Sequence, residues 1–364
     1  MTASLGLAMI VRDEAQDLPR CLASVQDVVD QVVIVDTGSR DQTIEIAQAW
    51  GAEVICSPWQ NDFGQARNIS LQAIQTDWIL VLDADEALVP EIKPRIQASI
   101  QQDNLIAIML LRHEVGVIPP YSAVSRLFRR HPDIYFNRPY HETVDDAVLA
   151  LVHKEPHWQI GQLEGVAIEH WGYTGAQLQK RDKTTQAIVI MADYFATHPD
   201  DAYICCKLGG MYLQTGQGEL AQATLQQGLK IKNPEAPVTY ELHYHLGNYY
   251  GQMGDQAQAI QHYQAAIHQE IPPITKISAH IRLAQAWSQQ KKYSQAIQAY
   301  ETILQIAPEV PLAWQNLGVI YLKLGQIQTS LSYFRQAIDC LKMTDPPEAQ
   351  RLQTELAAMG FPLS

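Results

Sequence analysis

The sequence predicts two folds in one chain: an α/β domain with a mostly parallel sheet over residues 1–180, and an all-α helical solenoid over residues 181–364. Three observations carry this. Short apolar runs alternate with amphipathic stretches through about the first 110 residues, those runs vanish after about residue 182, and a pattern of small and aromatic residues then returns every 34 positions. With 364 residues and 47% hydrophobic content, the chain can fill two ordinary cores.

The apolar runs come in order as LGLAMIV, QVVIVD, AEVICS, WILVLDADE and NLIAIMLL, with helix-like segments such as Asp41 to Trp50 between them. A βαβα rhythm of this kind places helices on both faces of a sheet and ligands in the crevice beyond the strands' carboxyl ends. Two such ends are rich in acids. After Trp78 to Leu82, Asp83, Asp85 and Glu86 arrive within four positions. Like charges so close need a cation, a cationic side chain or solvent to relieve them. A D-x-D turn of oxygen ligands suits Mg²⁺ or Mn²⁺ bridging carboxylates to a substrate diphosphate. In VIVDTGSRDQT, Gly38 supplies a turn and Ser39 or Asp41 a helix cap, which leaves Asp36 for a nucleobase or ribose hydrogen bond.

Composition narrows the function classes. A formal net charge of −13 disfavours a general nucleic-acid binder, although Arg126, Arg129 and Arg130 offer a local basic patch for phosphates. The five cysteines include no C-x-x-C pair, so neither a disulfide framework nor a zinc site is expected and they read as small buried hydrophobes. No apolar run approaches the ~20 residues that span a bilayer, and no secretory leader is expected, which points to a cytoplasmic protein without a membrane span.

In the second half, His280, Leu283, Ala284, Trp287, Ala296 and Tyr300 match Trp314, Leu317, Gly318, Tyr321, Ser330 and Phe334 at the 34-residue offset. Earlier copies carry Leu246, Gly247, Tyr250, Ala259 and Tyr263, and before them Leu208, Gly209, Tyr212, Ala221 and Leu225. Small residues let two helices approach while aromatics fill the space between them. Thr184 to Pro199 reads as the second helix of an incomplete repeat and Pro346 to Met359 as a terminal cap. These copies resemble tetratricopeptide repeats, which implies a protein or peptide partner. Tyr240, Tyr244 and Tyr249 fall off the repeat positions and are expected to line the binding face.

In the first half, AMIVRDEAQDLPRCLASV, VVIVDTGSRDQT, NDFGQARNISLQAI and WILVLDADEAL, in this order and spacing, resemble family 2 glycosyltransferases with the GT-A fold. The likeness spans most of residues 5–175. It implies a hexosyltransferase that takes a nucleotide-sugar donor, in particular a UDP-sugar, uses a divalent cation and inverts the anomeric carbon. Residue by residue, it puts Val11 and Glu14 beside the nucleotide, Asp36 on its base, Arg67 near the base and diphosphate, and Asp83 and Asp85 at the ribose and metal. Asp13 departs from the pattern, where asparagine is commoner. RPYHETVDD offers His141 and Glu142, and the resemblance makes Glu142 the base that takes the acceptor's proton. In VAIEHWGYTG it makes His170 a third metal ligand, whose other ring nitrogen needs a partner that the sequence does not name.

Two other readings compete. In one, the repeats are the working part and the first domain binds a nucleotide-sugar without turning it over; retention of both acids and the His-Glu pair speaks against it. A sugar-1-phosphate nucleotidyltransferase would carry a glycine-rich basic loop after the first strand, and VRDEAQD is not one.

Overall fold

Leu5, Leu7, Met9 and Val11 alternate with Gly6, Ala8 and Ile10 along β1 (Leu5–Val11), and both sets meet apolar layers, so β1 lies in the middle of a covered sheet. A computed structural model describes residues 2–116, 121–172, 177–232 and 234–361, with the backbone alone for 177–183. The chain divides into two units, Met1–His198 and Pro199–Ser364.

In the first unit, β1 is flanked by β2 (Gln31–Asp36) and β4 (Trp78–Val81), with β3 (Glu53–Cys56) beyond β2. All three pairings are parallel. Three antiparallel pairings and one more parallel one add β5 (Glu86–Leu88), β6 (Leu105–Glu114), β7 (Tyr121–Arg129) and β8 (Gln159–His170), giving the order β3-β2-β1-β4-β7-β6-β8-β5. The sheet is therefore mostly parallel, as the rhythm predicts. One apolar layer joins Leu7, Met9, Trp78 and Leu80 to Leu18 and Leu22 of α1 (Leu18–Val25) and includes Ile96 of α4 (Lys93–Ser99). The other joins Ala8, Ile79 and Phe128 to Ile74 and to Val148 of α5 (Asp145–Lys154).

Register decides where the polar residues gather. Val11 pairs with Asp36, and Ala8 with Val81, so β1, β2 and β4 end along one rim. On the antiparallel side Glu86 and Glu114 both pair with His170. The segment that carries Glu142 is tied to α3 (Phe63–Ala73): Pro139 accepts from the Phe63 N–H, and Asn68 makes two hydrogen bonds to the Phe136 backbone.

The helix α6 (Gln177–Thr197) falls in the first unit. Ala187 and Met191 are buried on it, and Gln186 reaches Asn61 in the loop before α3.

Among the described residues, the second unit holds four helix pairs and a cap: α7 (Ala202–Gln214) with α8 (Gly218–Lys230), α9 (Ala236–Gln252) with α10 (Gln256–Ile267), α11 (Ile277–Gln289) with α12 (Tyr293–Ile306), α13 (Pro311–Lys323) with α14 (Ile327–Thr344), then α15 (Pro346–Ala358). Close approach depends on a glycine in three of the pairs, Gly209, Gly247 and Gly318, and Ala284 takes that place in α11. A Cβ at Gly247 would stand 2.5 Å from the Tyr263 ring, and one at Gly318 2.9 Å from Phe334. After each first helix the chain closes by the same bond, from the N–H of Gln217, Asp255, Lys292 or Gln326 to the carbonyl of Tyr212, Tyr250, Trp287 or Tyr321.

One of the three off-consensus tyrosines differs from expectation. Tyr240 is 7% exposed and packs with Ala266 and Ala279. Tyr244 stacks on Tyr240, and the Tyr249 hydroxyl donates to Gln222 on α8. Being off the repeat consensus did not expose Tyr240, because α9 meets helices on more than one side, whereas Tyr244 and Tyr249 stay partly exposed.

Candidate active site

Asp36 closes β2 and is 2% exposed. Its Oδ1 accepts from the Gly38 and Ser39 N–H groups, and its Oδ2 is enclosed without a hydrogen-bond partner. Thr37 bonds to the Val11 carbonyl through both its N–H and its hydroxyl, which locks the two strand ends together. Across from them Asp13 has φ of +55°, a conformation that aspartate and asparagine tolerate better than other residues, so the departure from asparagine keeps the loop shape. Asp13 accepts from the Arg40 N–H, and the Glu14 N–H donates to Thr43 at the start of α2 (Thr43–Ala49). Asp41 accepts from the Thr43 N–H, whereas Ser39 bonds to the Asp13 N–H.

Four charged residues alternate in sign along one line. Arg67 on α3 is 4% exposed, and its Nε and Nη2 donate to Glu142 Oε1 and Asp83 Oδ1, each at 2.5 Å. Arg126 on β7 holds the other oxygen of Asp83 at 3.1 Å. Burial alone would raise the Asp83 carboxyl, but the Arg126 and Arg67 guanidiniums hold it well below the usual range. Both oxygens of Asp83 are thus engaged by arginines. His141, next to Glu142, is exposed with φ of +53° and meets the Tyr140 ring edge-on.

A second line runs across β5, β6 and β8. Glu86, fully buried, accepts from the Asp83 N–H and from Arg112 Nη1. Arg112 also holds Glu114 Oε1, and Glu114 Oε2 lies 2.5 Å from His170 Nδ1. His170 Nε2 lies 3.4 Å from Asp85 Oδ2. Burial would depress the imidazole, yet its bonds to Asp85 and Glu114 lift it to about 9, and Glu114 is held down at about 2 by His170 and Arg112 against its own burial. The space over this pair depends on a glycine. A Cβ at Gly172 would stand 2.5 Å from His170 Nε2 and 2.6 Å from Asp85 Oδ2.

The profile described as Glycosyl transferase family 2 matches residues 7–161, and the profile described as Tetratricopeptide repeat matches residues 244–311 and 288–356. A tetratricopeptide repeat-containing protein of Synechococcus elongatus is 41% identical over 99% of this chain and 98% of that protein. The chain carries a family 2 glycosyltransferase domain followed by tetratricopeptide repeats. An uncharacterized glycosyltransferase of Rickettsia bellii is 33% identical over 36% of this glycosyltransferase and 47% of that protein, so the match spans about half of that relative's length. The glycosyltransferase SunS of Bacillus subtilis is 25% identical over 55% of this chain and 47% of its own. Among solved structures, the crystal structure of MamA has a TM-score of 0.40 and 22% identity over 45% of this chain and 92% of that one.

Within the glycosyltransferase unit the fold joins Arg67 to Asp83 and Glu142, and Asp85 to His170, across separations that sequence order does not reveal. Two site residues escaped the sequence reading: Arg112 and Glu114. Their one signal was alternation, because Arg112 and Glu114 share a face of β6 near its carboxyl end. The basic patch does not form as expected. Arg129 binds the carbonyls of Leu105 and Gln102 and lies over the Trp78 ring, and Arg130 binds the Thr76 carbonyl, so only Arg126 reaches the site. Among the described residues, no helix is long and apolar enough to cross a membrane.

Proposed function

We propose that the first unit transfers a sugar, with inversion, from a nucleotide-sugar donor to an acceptor oxygen, and that the repeats bind the protein or peptide that is, or presents, that acceptor. The observation that carries this reading is the glycine-guarded space beside Asp85 and His170. One carboxylate oxygen and one imidazole nitrogen, with diphosphate oxygens to complete the set, suit Mn²⁺ ahead of Mg²⁺ because of the nitrogen ligand. What a bound cation supplies there is positive charge against the departing diphosphate.

The chain's own residues do the rest. Asp36 keeps an enclosed acceptor, Oδ2, for an N–H of the donor's base, with Val11 and Glu14 on the same rim. Asp83, fixed by Arg67 and Arg126, presents a carboxylate that stays ionised beside the ribose. Arg67 occupies Oε1 of Glu142 and so orients that carboxylate, leaving Oε2 to take the acceptor's proton. As that O–H bond breaks, the acceptor oxygen bonds to the anomeric carbon and the carbon–oxygen bond to the diphosphate breaks on the opposite side.

Binding of UDP to the full-length protein by titration calorimetry, with and without Mn²⁺, tests the site. Asp85→Ala is expected to remove the Mn²⁺-dependent part of the affinity while circular dichroism stays unchanged. A variant that keeps wild-type Mn²⁺-dependent affinity would overturn the assignment of Asp85.

A further inference from the structure

The repeat unit holds a cluster of metal-binding side chains that sugar transfer does not use. Cys206 lies on α7, while Glu241 and His245 lie one turn apart on α9, so the first helices of successive repeats meet there. One ligand atom from each residue lies within 4.8 Å of the other two. Cys206 donates its S–H to Glu241 Oε2 at 3.1 Å. Among the described residues, neither ring nitrogen of His245 has a hydrogen-bond partner. Gly210 makes room for the ring: a Cβ there would stand 2.9 Å from His245 Nε2.

We infer that Cys206, Glu241 and His245 form a site for one borderline-soft divalent cation of the Zn²⁺ type, which clamps α7 to α9. Thiolate and imidazole ligands select such an ion over Mg²⁺ or Ca²⁺. Cys206 is buried, whereas Glu241 and His245 are partly exposed, so the fourth position opens toward water. Closing the cluster onto Zn²⁺ needs small side-chain shifts to about 2.3 Å for sulfur and about 2.0 Å for nitrogen. The Cys206 S–H bond breaks as the S–Zn bond forms, the proton passes to solvent, and nothing is oxidised or reduced.

Lys207 stands in for the ion in the metal-free protein. Its Nζ lies 2.5 Å from Glu241 Oε2, and its side chain, 21% exposed, has a path to water once displaced. An ion pair between Lys207 and Glu241 alone accounts for neither the unpartnered imidazole nor the glycine that admits it. The expectation that no cysteine serves a metal came from sequence spacing, and Cys206 and Glu241 are 35 positions apart.

The test titrates Co²⁺ into metal-depleted full-length protein and follows thiolate-to-cobalt charge-transfer absorbance. We expect one equivalent to bind, Zn²⁺ to displace it, and both Cys206→Ala and His245→Ala to abolish the band while circular dichroism is retained. Lys207→Met removes the competing ammonium and should tighten Co²⁺ binding by at least about tenfold. The site is overturned if the wild-type protein shows no such band, if the band persists in Cys206→Ala, or if Lys207→Met leaves the affinity unchanged or weakens it.

Discussion

The two units use their interiors in opposite ways. In the glycosyltransferase unit, arginines and carboxylates from four elements and two loops, with His170 of β8, are joined into two lines of alternating charge. In the repeat unit the helix pairs meet through small residues against aromatics, as at Gly247 with Tyr263 and Gly318 with Phe334. The difference teaches where a substitution will spread. Members of one ionic line share partners, so their effects couple, whereas a helix pair in a stacked array touches mainly its neighbours and its losses stay local.

The largest effect separates chemistry from architecture. Glu142→Gln keeps an oxygen for the Arg67 Nε–H but cannot act as a base, and transfer should fall by about 10² to 10⁴ with donor affinity nearly unchanged. Initial-rate assays beside calorimetry would check both halves, and a wild-type transfer rate would place the base elsewhere.

Next comes Arg67→Ala, which leaves Asp83 with one guanidinium and Glu142 with none. We expect a loss of about 3 kcal/mol in urea unfolding, at the low end for breaking a buried pair because Asp83 is 32% exposed. Coupling is the sharper readout. In a cycle with Asp83→Asn, additive losses would mean that the ionic line does not act as a unit.

Gly247→Ala examines the other side of the comparison. Helix propensity alone would favour alanine by about 1 kcal/mol. The new methyl group meets the Tyr263 ring, though, and overpacking of this kind costs about 1–3 kcal/mol, so net destabilisation is expected. Adding Tyr263→Leu should restore most of it. A stabilised single variant would show that close helix approach is not what the glycine serves.

The smallest effect is a gain. Gly216, Gly254 and Gly325 take positive φ in the turns of three repeats, but the matching place in the third copy is Lys291, with φ of +58°. Lys291→Gly should raise the stability by up to about 1 kcal/mol, since the left-handed conformation strains a residue with a Cβ. An unchanged thermal midpoint would mean that the Lys291 side chain offsets the strain by its contacts.

How much was legible varies with the kind of signal. The repeats could be read because small and aromatic residues recur on a fixed period, and each copy states the same packing rule again. The strand that ends in Asp36 and the one that stops two residues before Asp83 could be read because an unbroken apolar run that leads to an acid is visible locally. The same local signal misled at Glu86. It sits in the acidic run with Asp83 and Asp85 but is fully buried, where it bonds the Asp83 N–H and Arg112.

Sequence by itself therefore determined the two architectures, the order of their elements and the rim on which Val11, Asp36 and Asp83 stand. Tertiary structure alone decided which charges meet. It placed Glu114 on Nδ1 of His170 from 56 positions away, brought Arg126 to Asp83 from 43, and set Cys206 beside Glu241 and His245. The physical reason is that periodicity and capping are written into neighbouring residues, while a buried ion pair depends on the register of strands and helices that only the assembled fold defines.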